Sequence, residues 1–564
     1  MTNKELANQF QALASLMELH EENKFKIRSY SNAYITLRKL PTPLAEMSDE
    51  EIGGIKGIGK AITGKIRELI DKGEMETMKK YQDQTPLGIQ EMLGIKGFGP
   101  KKIRVIWKDL GAESIGELLY ACNENRLIEL KGFGEKTQTD LKQKLEYFLH
   151  SKNKFHYAAL AQDADELLEQ IEELLPDTKV SLVGEMRRKC QIVNIIEFLI
   201  GTEEAIDVLF KNGTLLLEKK EDNHYLCQTP SGKPVGVYTC APKEFGSKLF
   251  RYSSSDEFLQ TFIKNTKGVD FKNLEEEATV FEKAKLPFIV PELRELPEYK
   301  NTGSGKTVPS TNILALAKKD KLPQLIELED IKGVVHTHTT WSDGVNSVKE
   351  MAEYAKGLGY EYIVITDHSK AAFYANGLKE DRVLQQIEEI DALNATMDDF
   401  TIFKGIESDI LNDGSLDYAN DILNRFDVVI ASVHTNLKMD KEKATTRLLK
   451  AIENKYTTIL GHPTGRLLLS RTGYPVDYKK IIDACAVNSV TIELNANPYR
   501  LDMDWRWIPY ALEKGVKISI NPDAHSTGGI HDIQFGVFAA RKGWLTKEMC
   551  LNALSAEEFG KEIS

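Results

Sequence analysis

The sequence predicts a multidomain protein with α-helical domains at the N-terminus, an α+β region in the middle and an α/β barrel at the C-terminus. Three glycine-rich turns, each followed by a helical pattern, lie before residue 150. Apolar strand patterns begin at about residue 155, and strands alternate with amphipathic helices after about residue 330. This alternation is typical of a parallel barrel surrounded by helices. At 564 residues the chain is also too long for one hydrophobic core.

The composition is that of an ordinary globular protein, with 41% hydrophobic and 28% charged residues. No apolar run has the length of a membrane span, and the amphipathic, acid-containing start is unlike a signal or transit peptide. The six cysteines are scattered without a CxxC pair, so we expect a reducing, cytoplasmic environment. The net charge of −12 argues against extensive nucleic-acid coating, but basic segments such as 100–108 allow local phosphate contacts.

A short glycine turn occurs three times in the first 150 residues, as GIKGIGK (54–60), GIKGFGP (94–100) and LKGFGEK (130–136). Glycine at each end lets the backbone bend and lets N–H groups at the next helix's N-terminus face a phosphate. An ordinary helical bundle with glycine turns is the alternative, which three copies in one region make less favourable. The residues predicted to form these phosphate sites are Gly57, Gly59, Gly97, Gly99, Lys101, Gly132, Gly134 and Lys136.

Histidines and carboxylates stand at the ends of the predicted strands after residue 330. Such residues converge at the carboxyl end of a parallel barrel although they are far apart in sequence. A single histidine would more often be an ordinary hydrogen-bonded residue, but the full series indicates a metal centre. The predicted ligands are His336, His338, Asp343, His368, Glu407, His434, His462, Asp523 and His525.

Nine imidazole and carboxylate groups exceed the needs of one ion and suit two or three, bridged by a carboxylate such as Glu407. The set contains no cysteine, which favours Mn²⁺, Zn²⁺ or Fe. Clustered divalent ions lower the pKa of water and stabilise a leaving oxygen, so the set suits phosphate-ester hydrolysis. Arg466 and Arg471 could clamp the substrate phosphate, although a solvated surface position explains each equally well. The predicted catalytic residues are His336, His338, Glu407, His434, Asp523 and His525.

The motifs HxHTxxSDG, TDHS, GxE, SxH, GHP and DAHS between residues 330 and 564 resemble the PHP (polymerase and histidinol phosphatase) superfamily of metal-dependent phosphoesterases. The resemblance implies a distorted TIM-like barrel with metal ligands at the nine positions. Val334 stands where the family often has aspartate, at a position that is not usually a ligand.

The part before residue 328 resembles a bacterial family X DNA polymerase with an attached PHP domain (PolX). The glycine turns match its helix-hairpin-helix elements, KFKIRSYSNAY (24–34) its lyase-like domain and FIVPELRE (288–295) the end of its thumb. The resemblance implies binding to gapped, nicked or 3′-ended DNA without sequence preference. The implied domains are lyase-like 1–88, fingers-like 89–152, palm 153–240, thumb and linker 241–328, and PHP 329–564.

The palm motif departs from the family pattern, which has Gly-Ser-x-Arg-Arg, then Asp-x-Asp, then a third Asp on a later strand. Nucleotidyl transfer needs two divalent ions bridged by carboxylates, and one glutamate is too few to hold both. A glutamate in place of the serine also adds negative charge beside an incoming triphosphate. We interpret Glu197 as a carboxylate on an edge strand in water, and the palm as a polymerase relic. The corresponding positions are Glu185, Arg187, Arg188, Ile195, Glu197 and Gly236.

The main hypothesis is a PHP phosphoesterase, a 3′–5′ exonuclease or 3′-end-processing enzyme of DNA repair, with an inactive palm. Its helix-hairpin-helix elements would hold DNA through phosphate contacts. One alternative is an active gap-filling repair polymerase with an exonuclease, which requires Glu197 and a further carboxylate. The others are a DNA-binding scaffold, which the nine ligands argue against, and a small-molecule phosphatase, which leaves the N-terminal domains without a role.

Overall fold

The computed structural model describes residues 1–95, 97–115, 118, 121–122, 127, 130, 132–151, 154–295, 313–469 and 472–564. The chain divides into two compact units, Met1–Lys152 and Asn153–Ser564. The first unit is helical, and the second contains a five-stranded sheet, a small helical region and a seven-stranded parallel barrel. Among the described residues, no helix is long and apolar enough to cross a membrane.

The first unit has two hydrophobic cores, one within residues 6–81 and one formed mainly by residues 89–145. Each core gathers the apolar stripe of its helices, because residues three and four apart share a helix face. The helices are α1 Asn3–Leu19, α2 Lys24–Leu37, α3 Asp49–Gly53, α4 Lys60–Lys72, α5 Glu76–Asp83, α6 Leu87–Leu93, α7 Pro100–Lys108 and α8 Glu135–Ser151.

The three glycine turns of this unit share one backbone conformation. Gly57, Gly97 and Gly132 have φ angles of 91°, 95° and 93°, a region that glycine enters without steric cost. Helices α4 and α7 begin directly after Gly59 and Gly99, and neither has a side-chain N-cap. The first N–H groups of both helices therefore have no side-chain acceptor.

The second unit begins with a five-stranded sheet in the order β2-β4-β7-β6-β5. Helix α9 covers the sheet with Leu160, Ala164, Leu167 and Ile171. The elements are β1 Phe155–His156, α9 Tyr157–Leu174, β2 Val180–Val183, α10 Gly184–Arg187, β3 Ile192–Val193, β4 Ile196–Ile200, α11 Val208–Lys211, β5 Leu216–Glu221, β6 His224–Gln228 and β7 Pro234–Thr239.

A helical region follows, with an aromatic core that includes Phe250, Phe262 and Phe281. The buried Arg294 lies against this core and pairs with Glu277, its Nη1 being 2.5 Å from Oε1. The helices are α12 Phe245–Tyr252, α13 Asp256–Asn265, α14 Ala278–Ala284 and α15 Ile313–Ala317.

The last 230 or so residues form a parallel sheet that runs in chain order from β8 to β14. A bridge between Thr337 and Ala524 joins its first and last strands, so the sheet is nearly a closed barrel. The strands are β8 Gly333–Thr337, β9 Tyr362–Ile365, β10 Thr401–Asp409, β11 Val428–Ser432, β12 Ile459–Leu460, β13 Thr491–Asn495 and β14 Ile518–Asn521. The helices are α16 Val348–Gly357, α17 Glu380–Asn394, α18 Asn420–Leu423, α19 Lys441–Ile452, α20 Tyr478–Asn488, α21 Ile508–Glu513, α22 Ile533–Lys542 and α23 Ala556–Glu562.

Candidate metal centre

The nine predicted ligands meet at the end of the barrel where its strands finish. Each lies within a strand or shortly after one, so their convergence follows from the parallel topology. Only Asp343 among them is exposed. Strand β8 and the loop after it contribute His336, His338 and Asp343. The other ligands lie at or just after the ends of later strands: His368 (β9), Glu407 (β10), His434 (β11), His462 (β12), and Asp523 and His525 (β14).

Glu407 lies at the centre of one half of the cluster. Its Oε1 is 3.3 Å from Nε2 of His336, 3.1 Å from Nε2 of His434 and 3.0 Å from Nε2 of His462. Its Oε2 is 2.9 Å from Nδ1 of His368. Four imidazoles therefore lie within 3.3 Å of this fully buried carboxylate, and a fifth, Nε2 of His338, is 3.7 Å from its Oε2. This arrangement suits a ligand of divalent metal ions.

Asp343 lies at the centre of the other half. Its Oδ1 is 3.4 Å from Nε2 of His525, 3.6 Å from Nε2 of His368 and 4.0 Å from Nδ1 of His338. Oδ1 of Asp523 is 3.1 Å from Nε2 of His338. Because His368 contacts both Asp343 and the carboxylate of the first half, the two halves form one cluster.

The donor atoms suit divalent metal ions. Three overlapping groups of these residues bring their donor atoms within 4.8 Å of one another, and every donor is nitrogen or oxygen. The buried Nδ1 of His338 makes no hydrogen bond within the described residues, as expected of a ring atom that faces a ligand. The groups are His338–Asp343–His368–His525, His336–His338–Glu407 and His368–Glu407–His434.

Nearby carboxylates outweigh burial and raise the pKa of three of the histidines, His336, His434 and His525. Burial alone would lower the pKa of His336, but Glu493, Glu407 and Asp523 raise it well above its usual value. Burial likewise opposes the charge of His434, but Glu407 is the main cause that raises its pKa to about 10. These imidazoles and carboxylates therefore stabilise one another's charges within the buried cluster.

His338 behaves in the opposite way. Burial, together with the neighbouring His368 and His525, lowers its pKa to about 4, although Asp523 acts in the opposite direction. The ring is therefore neutral at physiological pH, which is the form that binds a metal ion.

A second layer of carboxylates orients the histidines. Oε2 of Glu493 lies 2.6 Å from Nδ1 of His336, and Oδ1 of Asp409 lies 3.2 Å from Nδ1 of His434. Both contacts leave the Nε2 atoms directed at the cluster. Glu493 was not identified from the sequence. No ligand was assigned to β13, alone among the seven barrel strands, and the glutamate within that strand could have been chosen for this reason.

The backbone is strained at two of the candidate ligands. His336 and Asp523 have φ angles of 67° and 53°, in the left-handed region that residues other than glycine rarely adopt. Such strain costs about 1–3 kcal/mol per residue and is concentrated at functional sites. Here the two residues with positive φ angles lie near the ends of β8 and β14, and both side chains belong to the cluster.

Known proteins resemble the chain along its whole length. A helix-hairpin-helix domain model matches residues 1–75, a SAM-like helix-hairpin-helix tandem matches 89–146, and a PHP domain matches 335–497. The DNA polymerase/3′-5′ exonuclease PolX of Bacillus subtilis is 33% identical over 579 residues, which cover 99% of this chain and 98% of that protein.

This chain belongs to the PolX family. A probable phosphatase of Thermoanaerobacter sp. is 28% identical over 234 residues, which cover 38% of this chain and 88% of that protein. Another, from Caldanaerobacter subterraneus, is 30% identical over 34% of this chain and 74% of that protein. The family assignment accounts for the helix-hairpin-helix and PHP architecture and, with the cluster, implies divalent metal ions.

The region that the sequence predicts to be the palm, residues 153–240, has one carboxylate at the three positions that the resemblance assigns to aspartates. Glu197 lies on β4, between β2 and β7, so our prediction of an edge strand in water was wrong. Its half-buried carboxylate accepts a hydrogen bond of 3.0 Å from Tyr238 and lies against the backbone of Gly184. Burial is the main cause that raises its pKa. Gly236 is its direct partner on β7 and supplies no carboxylate.

The remaining palm residues make contacts within the chain. Glu185 accepts hydrogen bonds from the backbone and side chain of Asn194. Nη2 of Arg187 is 2.7 Å from Oε2 of Glu277. Nε of Arg188 is 3.2 Å from a carboxylate oxygen of the largely buried Glu295, and the side chain of Ile195 lies beside Gly236. Both arginines therefore already have carboxylate partners within the chain.

The two predicted phosphate clamps have different outcomes. Arg466 donates to the backbone oxygens of Arg500 and Leu501 and pairs with Asp504, so a phosphate would have to displace these contacts. Arg471 lies outside the described residues. Sequence reasoning missed Arg500, whose Nε lies 3.9 Å from Oδ2 of Asp523 at the cluster.

Proposed function

We propose that the PHP barrel of this chain is a metal-dependent phosphodiesterase acting as a 3′–5′ exonuclease or 3′-end-processing enzyme on DNA, and that its palm does not transfer nucleotides. The convergence of nine imidazole and carboxylate groups at the barrel end carries the proposal. The name of the Bacillus subtilis relative includes both activities, and the palm geometry of this chain favours the nuclease alone.

The nine residues would hold two or three divalent ions, with Glu407 as the bridging carboxylate. Bound ions of this kind supply activation of water and neutralisation of charge on phosphate. With metal bound, Glu493 would accept a hydrogen bond from Nδ1 of a neutral His336 and leave Nε2 for the ion, and Asp409 would do the same for His434. His336, His338, His368, His462 and Glu407 are buried, which limits the access of bulk water to this part of the cluster.

The palm supports the second half of the proposal. Ile195 and Gly236 offer no metal ligand, and the carboxylate of Glu197 is hydrogen-bonded to Tyr238. Two ions for nucleotidyl transfer would therefore have one carboxylate, whose raised pKa weakens it further as a ligand.

The helix-hairpin-helix turns would supply DNA binding. The N-termini of α4 and α7 lack side-chain caps, and Gly59 and Gly99 leave open space around their α-carbons. Lys101 and Lys136 are exposed after the second and third turns. Backbone amides and lysines of this kind contact phosphates without reading sequence, so we propose binding to gapped, nicked or 3′-ended DNA.

Two other functions have a specific observation in their favour. The polymerase named in the Bacillus subtilis relative would require nucleotide transfer by this palm. The probable phosphatases match the barrel alone, which would fit hydrolysis of a small phosphomonoester.

The test uses a 5′-labelled primer on a longer template with Mn²⁺, with and without dNTPs. We expect the primer to shorten with wild-type protein, not with His338→Ala, and to be extended by neither. The control is Arg425→Ala, an exposed arginine just before β11 at the opposite barrel end, which should match wild type. Extension would refute the inactive palm. Hydrolysis of p-nitrophenyl phosphate without primer shortening would favour the phosphatase.

A further inference from the structure

The loop after β13 carries Arg500 to the edge of the metal cluster. Its Nε is 3.9 Å from Oδ2 of Asp523, and its guanidinium makes no hydrogen bond to the described residues. The preceding Tyr499 is 60% exposed. A half-buried cation with unused donors beside a metal cluster is suited to a phosphate oxygen of the substrate.

The palm contacts this loop from the other side. The ring of His156 lies edge-on to Tyr499, with 4.7 Å between ring centroids, and its Nε2 is 3.1 Å from the backbone oxygen of Leu468. The backbone N–H of Leu468 in turn donates to the backbone oxygen of Tyr499, at 2.7 Å. His156 is thus joined to the loop both directly and through Leu468.

A second connection runs through Gln191. Its Oε1 is 3.5 Å from Nη2 of Arg466, whose Nε donates to the backbone oxygen of Arg500 at 3.0 Å. Gln191 also lines one small cavity together with Pro498 and Leu501 of the loop. His156 of β1 pairs with Ile192 of β3, and the backbone N–H of Tyr157 donates to the backbone oxygen of Gln191 at 3.1 Å, so His156 and Gln191 lie at one corner of the palm.

We propose that the palm serves as a positioning element of the nuclease: His156 and Gln191 hold the loop 497–504 so that Arg500 can bind a substrate phosphate. The inference rests on the proposed phosphodiesterase function and deepens it. In this proposal the palm has a role that requires no metal ion, because only the residues that contact the loop 497–504 take part. Arg500 touches substrate in this scheme, whereas His156 and Gln191 act through the loop.

The first experiment tests whether His156 and Gln191 hold the loop 497–504, independently of catalysis. Hydrogen exchange of the loop amides, measured without metal or substrate, should rise in Gln191→Ala and His156→Ala. It should stay at the wild-type level in Arg500→Ala, because the loop backbone does not depend on that side chain. The matched control is Gln228→Ala, since Gln228 lies on β6 of the five-stranded sheet, away from the loop, and its side-chain amide donates to Glu218 on the neighbouring strand β5. Unchanged exchange in both support variants would overturn the proposal.

The second experiment measures the phosphate contact. We expect Arg500→Ala to weaken binding of thymidine 5′-monophosphate to the Mn²⁺-loaded protein about tenfold or more, and Arg500→Lys to recover part of it. KM for a single-stranded oligonucleotide should rise similarly, with Mn²⁺ content unchanged. Equal nucleotide affinity in wild type and Arg500→Ala would overturn the role of Arg500.

A double-variant comparison distinguishes positioning from general structural damage. Gln191→Ala should raise KM in the wild-type background, and Gln191→Glu should not, because it keeps an acceptor for Arg466. In the Arg500→Ala background, Gln191→Ala should have no further effect on KM. An equal loss in both backgrounds would contradict the proposal. A wild-type protein that binds the nucleotide but cleaves no DNA would refute the proposed nuclease instead.

Discussion

The barrel and the palm each bring side chains together at the ends of strands, yet among the residues that the structure describes only the barrel assembles a set of metal donors. In the barrel, Glu407 is surrounded by four imidazoles and the outer carboxylates Glu493 and Asp409 orient two of them. In the palm, Glu197 contacts a tyrosine and a glycine backbone. Two sets of strand ends in one chain can therefore carry very different groups of side chains.

The largest expected effect concerns the bridging position of the barrel. Glu407→Ala should reduce bound Mn²⁺ and bring the nuclease rate to background, because four histidines lose their common carboxylate. Metal analysis and the primer-shortening assay measure the two quantities. Glu197→Ala in the palm is the matched comparison and should change neither. Full activity in Glu407→Ala would place the chemistry elsewhere.

The next effect concerns the outer layer of the same cluster. Glu493→Gln should lower Mn²⁺ affinity or nuclease rate by about 10- to 100-fold, because the tautomer of His336 is no longer fixed by a charged acceptor. Titration with Mn²⁺ followed by the rate at saturation separates the two contributions. If Glu493→Gln had the same Mn²⁺ titration curve and the same rate as the wild type, the contact with His336 would not contribute to function.

The third effect concerns the contribution of the buried carboxylate Glu295 to the free energy of unfolding. Lys542, Cys190 and Arg188 together outweigh burial and hold the pKa of Glu295 at about 2. A folded-state pKa below the unfolded value means that Glu295 stabilises above about pH 4 and loses this effect as the pH falls toward 2. Glu295→Gln should therefore cost about 3 kcal/mol at pH 7, and this difference should shrink in denaturant titrations toward pH 2. A pH-independent difference would refute the charge explanation.

The smallest effect is expected at Glu197 itself. Burial raises its pKa, so its charged form destabilises the folded palm at neutral pH. Glu197→Gln keeps an acceptor for Tyr238 and should raise the melting temperature slightly at pH 7. The gain should vanish at pH 4 or below, where the wild-type side chain is protonated. A lower melting temperature at pH 7 would mean that the carboxylate has a partner it needs.

The sequence allowed the seven barrel strands and the convergence of the nine candidate ligands to be predicted, because buried parallel strands appear as apolar runs, here each followed by polar residues at the strand end. The order in which the palm strands pair could not be predicted from the sequence. The motif alone could not place β4 between β2 and β7, so Glu197 was assigned to an edge. The hairpin of β5 and β6 was also missed, since its charged, exposed first strand lacks the expected alternation.

Contacts between distant segments were equally hidden. Arg466 lies four residues after a ligand histidine, which suggested a phosphate clamp, yet its donors meet the backbone of a loop more than 30 residues away. Arg500 had no motif neighbour in its own segment that marked it as a site residue. Both positions depend on tertiary pairing, which a single sequence does not report.

The bridge between Thr337 and Ala524 has a consequence for synthesis of the protein. The donors come from both ends of the barrel sequence, from His336 to His525, so a growing chain lacks part of the set until its last strand has emerged. Metal ions would then bind only the completed barrel and stabilise it by mass action. The metal supply during translation would thus influence what fraction of new chains reaches the folded state.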